Sequence, residues 1–521
     1  MRLGTRRSAL AWVQSSQVAQ ALRDAHPGLE IELVGIDTRG DRITDVPLSG
    51  VEGKEFFTAE IDAALLESRV DMTVHSLKDL SLDRPAGLTM GAIPRRANPR
   101  DIAIFAPDTL QRLAEGKGLR IGTASPRRAQ LLPAFLSRAL PHAANNTITL
   151  EPLRGNVDSR LRRLREPRDS TRQLDGVVLA IAGLSRLFAD RVTERQGNAM
   201  LTTLLDGLPL MLLPLTDCPA APGQGALAIE CRSDDAETRR ILASLDHAPT
   251  RNAITAERAV LAEYGGGCHQ RFGATHLELP GLGGLLQIAG LAADGRDIAA
   301  RRWLPGESLA AALAAPRGAV QSWDGSRAAP PAVTPLIDAV ALAGQLHTAA
   351  VYIAHSRALP DGAATALKGR RVWTSGSASW FRLAAQGVWV EGCLEGRGAD
   401  AALSLLSEPV LRLPYPSGWT VLTHGGAEDN WTEGDWRGAK ALATYSVAEG
   451  ASEDRQAMAE ATHIYWSSVA QFERGKQFVA RSVHHASGPG RTAEHLRRSG
   501  VEHFQAFPSV QEWQRWIAKA P

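Results

Sequence analysis

Short β-branched and apolar runs alternate with longer amphipathic ones from the start of the chain, and this alternation restricts its fold more than any other feature. Residues 31–36 read as a strand, 56–67 as a helix and 72–75 as a second strand. The pattern repeats at 101–105, 119–122, the helical 127–135, 147–152 and 176–180. Strands separated by helices form sheets covered by those helices, so a multidomain α/β chain opening on two similar lobes is expected. A helix over 255–264 then leads to Gly265, Gly266, Gly267 and Cys268, and strands with turns run on to Leu304, which predicts a small α+β domain carrying the cysteine. From 305 to 349 the composition turns to alanine, proline and glycine and reads as a linker. Beyond it, strands at 351–354, 371–374, 420–423 and 463–467 alternate with helices such as 492–499, forming a C-terminal α/β body. The expected division is 1–100 with 226–246 as lobe 1, 101–225 as lobe 2 with the crossing segments, 247–304 as the cysteine domain, 305–349 as linker and 350–521 as the last body.

The 521 residues carry a net charge of +2, with 44% hydrophobic and 22% charged content, an ordinary composition with room for several cores. A surface that tracks phosphates raises net charge and brings stacking aromatics; near neutrality and 5% aromatic content argue against a nucleic-acid partner. No apolar run reaches membrane-spanning length, and the first ten residues lack the apolar core of a signal peptide, so neither membrane nor secretion is expected. Cys218, Cys231, Cys268 and Cys393 are scattered without metal-ligand spacing, which predicts no metal and no disulfide framework, and suits a reducing cytoplasm.

Serial glycines before Cys268, and Gly223, Gln224 and Gly225 upstream, let a bulky group approach the main chain, while the thiol offers either a covalent tether or a nucleophile. Further motifs join them: Thr5, Arg6, Arg7, Ser8 and Leu10; Thr38, Arg39, Gly40 and Asp41; Gly53, Lys54 and Phe57; and Val74, His75, Ser76, Leu77, Lys78 and Asp79. Gly122, Thr123, Ala124, Ser125, Pro126, Arg127 and Arg128 form a strand-to-helix turn; Leu153, Arg154, Gly155, Asn156, Val157 and Arg160 form another, and Ala182, Gly183, Leu184, Ser185 and Arg186 a third. In order and spacing this set resembles porphobilinogen deaminase, also called hydroxymethylbilane synthase, over residues 1–304.

The resemblance implies two lobes like those of periplasmic binding proteins, and a dipyrromethane cofactor attached covalently to Cys268 as a primer. It also implies that four porphobilinogens are joined in sequence, each losing ammonia, before a linear tetrapyrrole is released for haem biosynthesis. Asp79 matches the catalytic carboxylate, suited to pyrrole N–H groups and to developing positive charge. Lys78, Thr123, Ser125, Arg127 and Arg128 match cofactor-binding positions, and Arg6, Ser8, Arg154, Arg160 and Arg186 substrate-binding ones. Arginine forks suit the acetate and propionate groups a growing chain collects. A non-catalytic two-lobed anion-binding protein is the rival reading; Cys268 and Asp79 discriminate, since a receptor requires neither. A monomer is expected.

Near the C-terminus, Gly488, Pro489, Gly490, Arg491, Thr492, Ala493, Leu496 and Gly500, with Ser467 and Ser468 after a strand, resemble uroporphyrinogen III synthase. Thr374 to Ala378 resemble an earlier turn of the same kind, and Tyr445 matches a tyrosine proposed to assist that enzyme. The pairing implies either a second, cyclising enzyme that captures the linear product or a non-catalytic remnant. Tyr445, Ser467 and Thr492 are its candidate residues, and 351–357 reads as one of the later strands of such a body.

Overall fold

The computed structural model describes residues 1–38, 58–142, 146–189, 195–265, 270–313, 316, 319–326, 332–397, 402–431, 436–447 and 455–519. Strands β1 (Arg2–Arg6), β2 (Glu32–Ile36), β3 (Met72–Ser76) and β4 (Leu88–Ala92) precede a crossing; β5 (Asp101–Phe105), β6 (Leu119–Thr123), β7 (Ile148–Pro152), β8 (Gly176–Ala180) and β9 (Leu210–Leu212) follow it, and β10 (Leu227–Arg232) comes after a second crossing. One sheet has the order β2-β1-β3-β10-β4 and the other β7-β6-β8-β5-β9. In the first, β1 runs parallel to β2 and β3, while β10 is antiparallel to β3 and β4. In the second, β6 is parallel to β7 and β8, and β5 antiparallel to β8 and β9. The first strand after each crossing thus enters a sheet against its neighbours. β5 is buried along its whole length and β8 nearly so, as their unbroken apolar runs require when both faces are covered.

The crossing segments touch: Leu213 N–H donates to Asp101 O at 2.9 Å and Ala97 N–H to Gly225 O at 3.1 Å. Gly225 has φ +86, and a Cβ there would stand 2.6 Å from Ala97 O, so only glycine lets the two backbones meet. Strands β11 (Arg271–Leu279), β12 (Gly283–Leu291) and β13 (Asp297–Leu304) form an antiparallel sheet against the helix Ala248–Glu263. That helix begins seven residues before the expected 255, because His247 caps it by accepting from Thr250 N and Pro249 is tolerated in its first turn. The expected helix start at 56 lies outside the described residues; among those described the helix spans Ala59–Leu66.

The segment expected as a linker takes part in both remaining sheets. Strands β14 (Ser322–Trp323) and β15 (Val333–Pro335) lie within it; then come β16 (Ala350–Ile353), β17 (Arg371–Thr374), β18 (Gly392–Cys393), β19 (Trp419–His424), β20 (Lys440–Val447), β21 (His463–Trp466), β22 (His484–Ser487) and β23 (Phe504–Ala506). The sheets are ordered β14-β21-β22-β23 and β15-β20-β19-β16-β17-β18. The linker boundary at 305–349 is corrected accordingly: strands of two and three residues are too short to show a period of 2, and tertiary pairing holds them. A second correction concerns 351–357. Strand β16 opens the parallel run and sits between β17 and β19, in the middle of its sheet.

The six-stranded sheet packs on the second lobe. Trp380 Nε1 donates to Ala139 O at 3.0 Å and Trp389 Nε1 to Leu210 O at 3.2 Å. Phe105 meets Trp389 edge-on at 5.1 Å, and Leu212 N–H bonds Glu391 O at 2.7 Å. The four-stranded sheet reaches the cysteine domain through Trp303 and Phe507, 5.6 Å apart, and through Arg301 and Glu512 at 3.2 Å.

Candidate active-site cleft

The carboxyl ends of parallel strands are where α/β sheets hold ligands, and the candidate residues lie just beyond such ends. Arg6 closes β1 and Ser8 follows it; Lys78 and Asp79 follow β3; Thr123 closes β6; Arg154 follows β7; Arg186 follows β8. The helix Ala9–Ala25 of lobe 1 packs against the helix Ile181–Ala189 of lobe 2, so the two sets face each other. Ser8 caps its helix, accepting from Ala11 N at 3.4 Å. Ser125 caps the helix Pro126–Ala139, accepting from Arg128 N at 3.5 Å, and Thr123 Oγ1 accepts from Ser125 N at 3.2 Å. The start of that fourteen-residue helix therefore presents N–H groups beside its own two arginines.

Asp101 organises the floor of the cleft. Its carboxylate accepts from Arg127 Nη2 and Arg128 Nη2 at 2.7 Å each, and from Gln224 Nε2 at 2.8 Å. Burial alone would push the Asp101 carboxyl up; attraction to Arg127 and Arg128 and their hydrogen bonds outweigh it and hold the group well below the usual carboxylate range. Arg127 also donates to Pro219 O at 2.8 Å and Arg128 to Val178 O at 2.9 Å. Both arginines are buried, and the Nε of each has no hydrogen-bond partner among the described residues.

Lys78 lies within the field of these charges. Loss of water lowers its pKa most and Arg128 and Arg127 add to this, while Asp79 and Asp101 oppose them. Asp79 is exposed at the end of the one-turn segment Leu77–Asp79. Desolvation lowers Arg160 to about 10, with Arg128 contributing, and desolvation lowers Arg186 likewise to about 10. Arg160 Nε donates to Gly155 O and Arg186 Nη2 to Gly225 O, both at 2.7 Å, so each arginine spends a donor on backbone and, among the described residues, none on a carboxylate. Gly223 explains how the second crossing meets the Leu77–Asp79 turn: at φ +80, a Cβ there would lie 2.5 Å from Leu77 Cδ2.

Cys268, together with Arg39, Gly40, Asp41, Gly53, Lys54 and Phe57, lies outside the described residues. The other three cysteines are buried and free. Burial raises the Cys218 and Cys393 thiols, and burial with Asp235 raises Cys231 to about 11, so none of the three is poised as a thiolate.

Three groups that matter were not singled out from sequence. In the sequence Gln224 stands out only for its flanking glycines, yet it ties Pro99 O, at 2.7 Å, to Asp101. Glu257, buried in the helix that leads to the cysteine loop, accepts from Gly223 N and His276 N, both at 2.7 Å. Arg84 bridges Asp62 and Glu230 at 2.6 and 2.7 Å. Asp62, His75 and Glu230 are the one group of potential metal ligands converging among the described residues, and Arg84 already supplies their cation.

The C-terminal candidates separate. Ser467 and Thr492, with Tyr465, Gly488 and Ser509, line a cavity of about 480 Å³ at the carboxyl ends of β21, β22 and β23. Tyr445 stands apart from that lining, on β20 of the other sheet, 5.9 Å from the His424 ring. Burial raises its hydroxyl pKa, with Arg357 opposing.

Paired sheets joined by two crossings, with basic side chains gathered at their strand ends, define a two-lobed α/β protein. A sequence model described as "Porphobilinogen deaminase, dipyromethane cofactor binding domain" matches residues 1–240. A porphobilinogen deaminase of Roseiflexus sp. (strain RS-1) is 44% identical over 299 residues, covering 57% of this chain and 87% of that protein. That of Brevibacillus brevis is 40% identical over 275 residues, covering 52% and 78%. A periplasmic substrate-binding protein of an ABC transporter from Coxiella burnetii aligns at 14% identity over 47% of this chain and 91% of its own, with a TM-score of 0.26, a likeness that carries no argument. The chain belongs to the porphobilinogen deaminase family, and its first 240 residues are that family's dipyrromethane cofactor-binding domain. No helix among the described residues is long and apolar enough to cross a membrane.

The residues present fit such a group. The Nε donors of Arg127 and Arg128, unpartnered among the described residues, and a Lys78 that no carboxylate of the described residues contacts in an ion pair, call for acceptors that a carboxylate-bearing dipyrrole supplies.

Proposed function

We propose that the chain joins porphobilinogens into hydroxymethylbilane with release of ammonia, on a dipyrromethane held through Cys268 Sγ, and that its C-terminal body closes the product to uroporphyrinogen III. One observation carries the first part: Asp79 stands exposed next to Lys78, whose charge interacts with those of Arg127 and Arg128, while Asp101 is the carboxylate already engaged by that arginine pair. When bound, the dipyrromethane supplies the fixed pyrrole end onto which substrate units are joined.

The chain's own residues do the rest. Arg127, Arg128 and Lys78 hold carboxylates at the cleft floor, with Thr123, Ser125 and the helix start behind them. Arg6, Ser8, Arg154, Arg160 and Arg186 orient the carboxylates of incoming substrate from both lobes. Asp79 accepts pyrrole N–H groups and offsets positive charge as ammonia departs, which needs its charged form. Asp101 is the positioning group beneath, since it keeps the guanidiniums of Arg127 and Arg128 aimed.

The cyclising activity is supported by the cavity at the ends of β21, β22 and β23, with Ser467 and Thr492 on its wall. Tyr445 is proposed as an assisting group only if the substrate spans both sheets. Incubating the purified chain with porphobilinogen and resolving uroporphyrinogen I from III tests both parts. Isomer III supports the pair of activities, isomer I alone leaves only the deaminase, and unchanged porphobilinogen refutes the whole reading. Intact mass of the wild type and of Cys268→Ser tests the attachment point.

A further inference from the structure

Glu395 belongs to the C-terminal body and follows Leu394, whose N–H bonds Thr374 O at 3.0 Å. Its carboxylate is fully buried, and the groups that meet it come from both crossing segments. Arg100 Nη2, on the first crossing, donates to Oε2; the Leu215 N–H, on the second, donates to Oε1. Arg397 Nη2 lies 3.6 Å away. Glu395 holds φ +55, a region that non-glycine residues occupy only when their surroundings fix them there. Arg100 immediately precedes Asp101, the anchor of Arg127 and Arg128.

A second carboxylate of the same body reinforces the tie. Glu408 accepts from Ser185 Oγ, next to Arg186, and from the side chain of Asn98. Asn98 Oδ1 in turn accepts from Arg100 N at 3.1 Å. Both crossings and one wall of the cleft are therefore gripped by carboxylates from beyond residue 304.

We infer that Glu395 is a positioning residue for the deaminase cleft, supplied by the C-terminal body. It fixes the two crossing segments relative to each other and, through Arg100 and Asp101, fixes the arginine pair on the cleft floor. Residues that absorb lobe movement lie on such crossings, so a shared buried carboxylate there governs how far the lobes part as the pyrrole chain lengthens. Removing its charge leaves Arg100 buried with Asn98 Oδ1, at 3.3 Å, as its remaining side-chain acceptor among the described residues. The kinetic part of this inference rests on the deaminase reading; the structural part does not.

The test uses the full chain as wild type, Glu395→Gln, Arg100→Gln and the double variant. Hydrogen exchange is followed in 97–103 and 211–217, and the lengths of enzyme-bound pyrrole chains are read by intact mass during turnover. The expected result for Glu395→Gln is exchange faster by about tenfold in both segments, with the strand cores of β1 and β3 unchanged. Its kcat falls by about fivefold with KM little altered, the bound population stalls at a different length, and the effect is absent when Arg100→Gln is already present. Wild-type exchange and an unchanged ladder in Glu395→Gln would overturn the inference, and so would a double variant whose loss is the product of the two single losses. If Glu395→Gln does not fold, Arg100→Gln alone decides by the same exchange signature, with wild-type exchange counting against the clamp. A wild type inert toward porphobilinogen refutes the proposed function, and the exchange data then judge the clamp by themselves.

Discussion

Arg96 and Glu257 meet fork to fork, at 2.6 and 2.9 Å, and so fasten the helix that leads to the cysteine loop onto the first crossing segment. Arg96 Nε also donates to Gln224 O at 2.7 Å, which draws in the second crossing. Glu257 is fully buried. Glu257→Gln leaves the Arg96 guanidinium enclosed without its counter-charge, a change expected to lower stability by about 3 kcal/mol in urea unfolding. The fraction of chains carrying the dipyrromethane mass should fall with it; full stability in the variant would show the pair to be dispensable.

Asp79→Asn keeps the shape and removes the charge at an exposed position. Steady-state turnover should drop by about 100-fold or more, the range of a lost catalytic carboxylate. The melting temperature should stay within error, because exposed substitutions change stability by about 0.5 kcal/mol or less. Undiminished turnover would remove Asp79 from the chemistry.

Gly223→Ala tests the contact between the second crossing and the Leu77–Asp79 turn. At φ +80, with Leu77 Cδ2 only 2.5 Å from the new Cβ, both backbone and packing oppose the methyl group. A loss of about 1–3 kcal/mol is expected, read by urea unfolding, with slowed turnover since Lys78 and Asp79 sit on that turn. Gly28→Ala is the control: its φ is +90 yet nothing lies within 4 Å, so only backbone strain is added.

His75 gives a pH dependence of definite sign. Burial lowers its pKa from 6.5 to about 4, with Arg84 and Arg6 adding to the effect and Asp62 and Asp79 opposing it. Nε2 lies 3.1 Å from Thr73 Oγ1 and 3.4 Å from Glu230. The unfolded chain therefore takes up a proton below 6.5 that the folded chain refuses until about 4. This contribution is complete above pH 6.5 and shrinks as pH falls toward 4, by about 3 kcal/mol in all. Comparing unfolding of wild type and His75→Gln at pH 7.5 and 5 isolates it; identical pH slopes would mean that folding leaves the His75 pKa unshifted, and a wild type that gains stability toward pH 5 relative to the variant would mean that Glu230 holds it protonated.

Much of the architecture was legible because burial leaves a local trace. Asp101–Phe105 and Gly176–Ala180 were readable to the residue, since strands covered on both faces show unbroken apolar runs bounded by polar turns. Strand-end motifs were legible for a similar reason: a cap such as Ser125, a proline at the helix start and paired arginines lie together in sequence. What escaped was relational. Asp101 looks like the polar first residue of a strand until Arg127, Arg128 and Gln224 converge on it. Glu257 and Glu395 look like ordinary solvated charges, and only folding removes them from water; Glu408 becomes half-buried in the same way. Short edge strands such as Ser322–Trp323 escaped too, because their pairing partner lies more than a hundred residues away.

The bond from Leu212 N–H to Glu391 O seals the outer rim of the second lobe's sheet with main chain from the C-terminal body. Severing the chain after residue 304 would bare that rim beside Phe105 and Phe135, whose rings now rest on Trp389 and Trp380. An uncovered strand margin flanked by wet aromatic faces recruits further copies of itself. The N-terminal portion alone is expected to be less soluble than the full chain, an outcome that sedimentation of a 1–304 fragment reads directly.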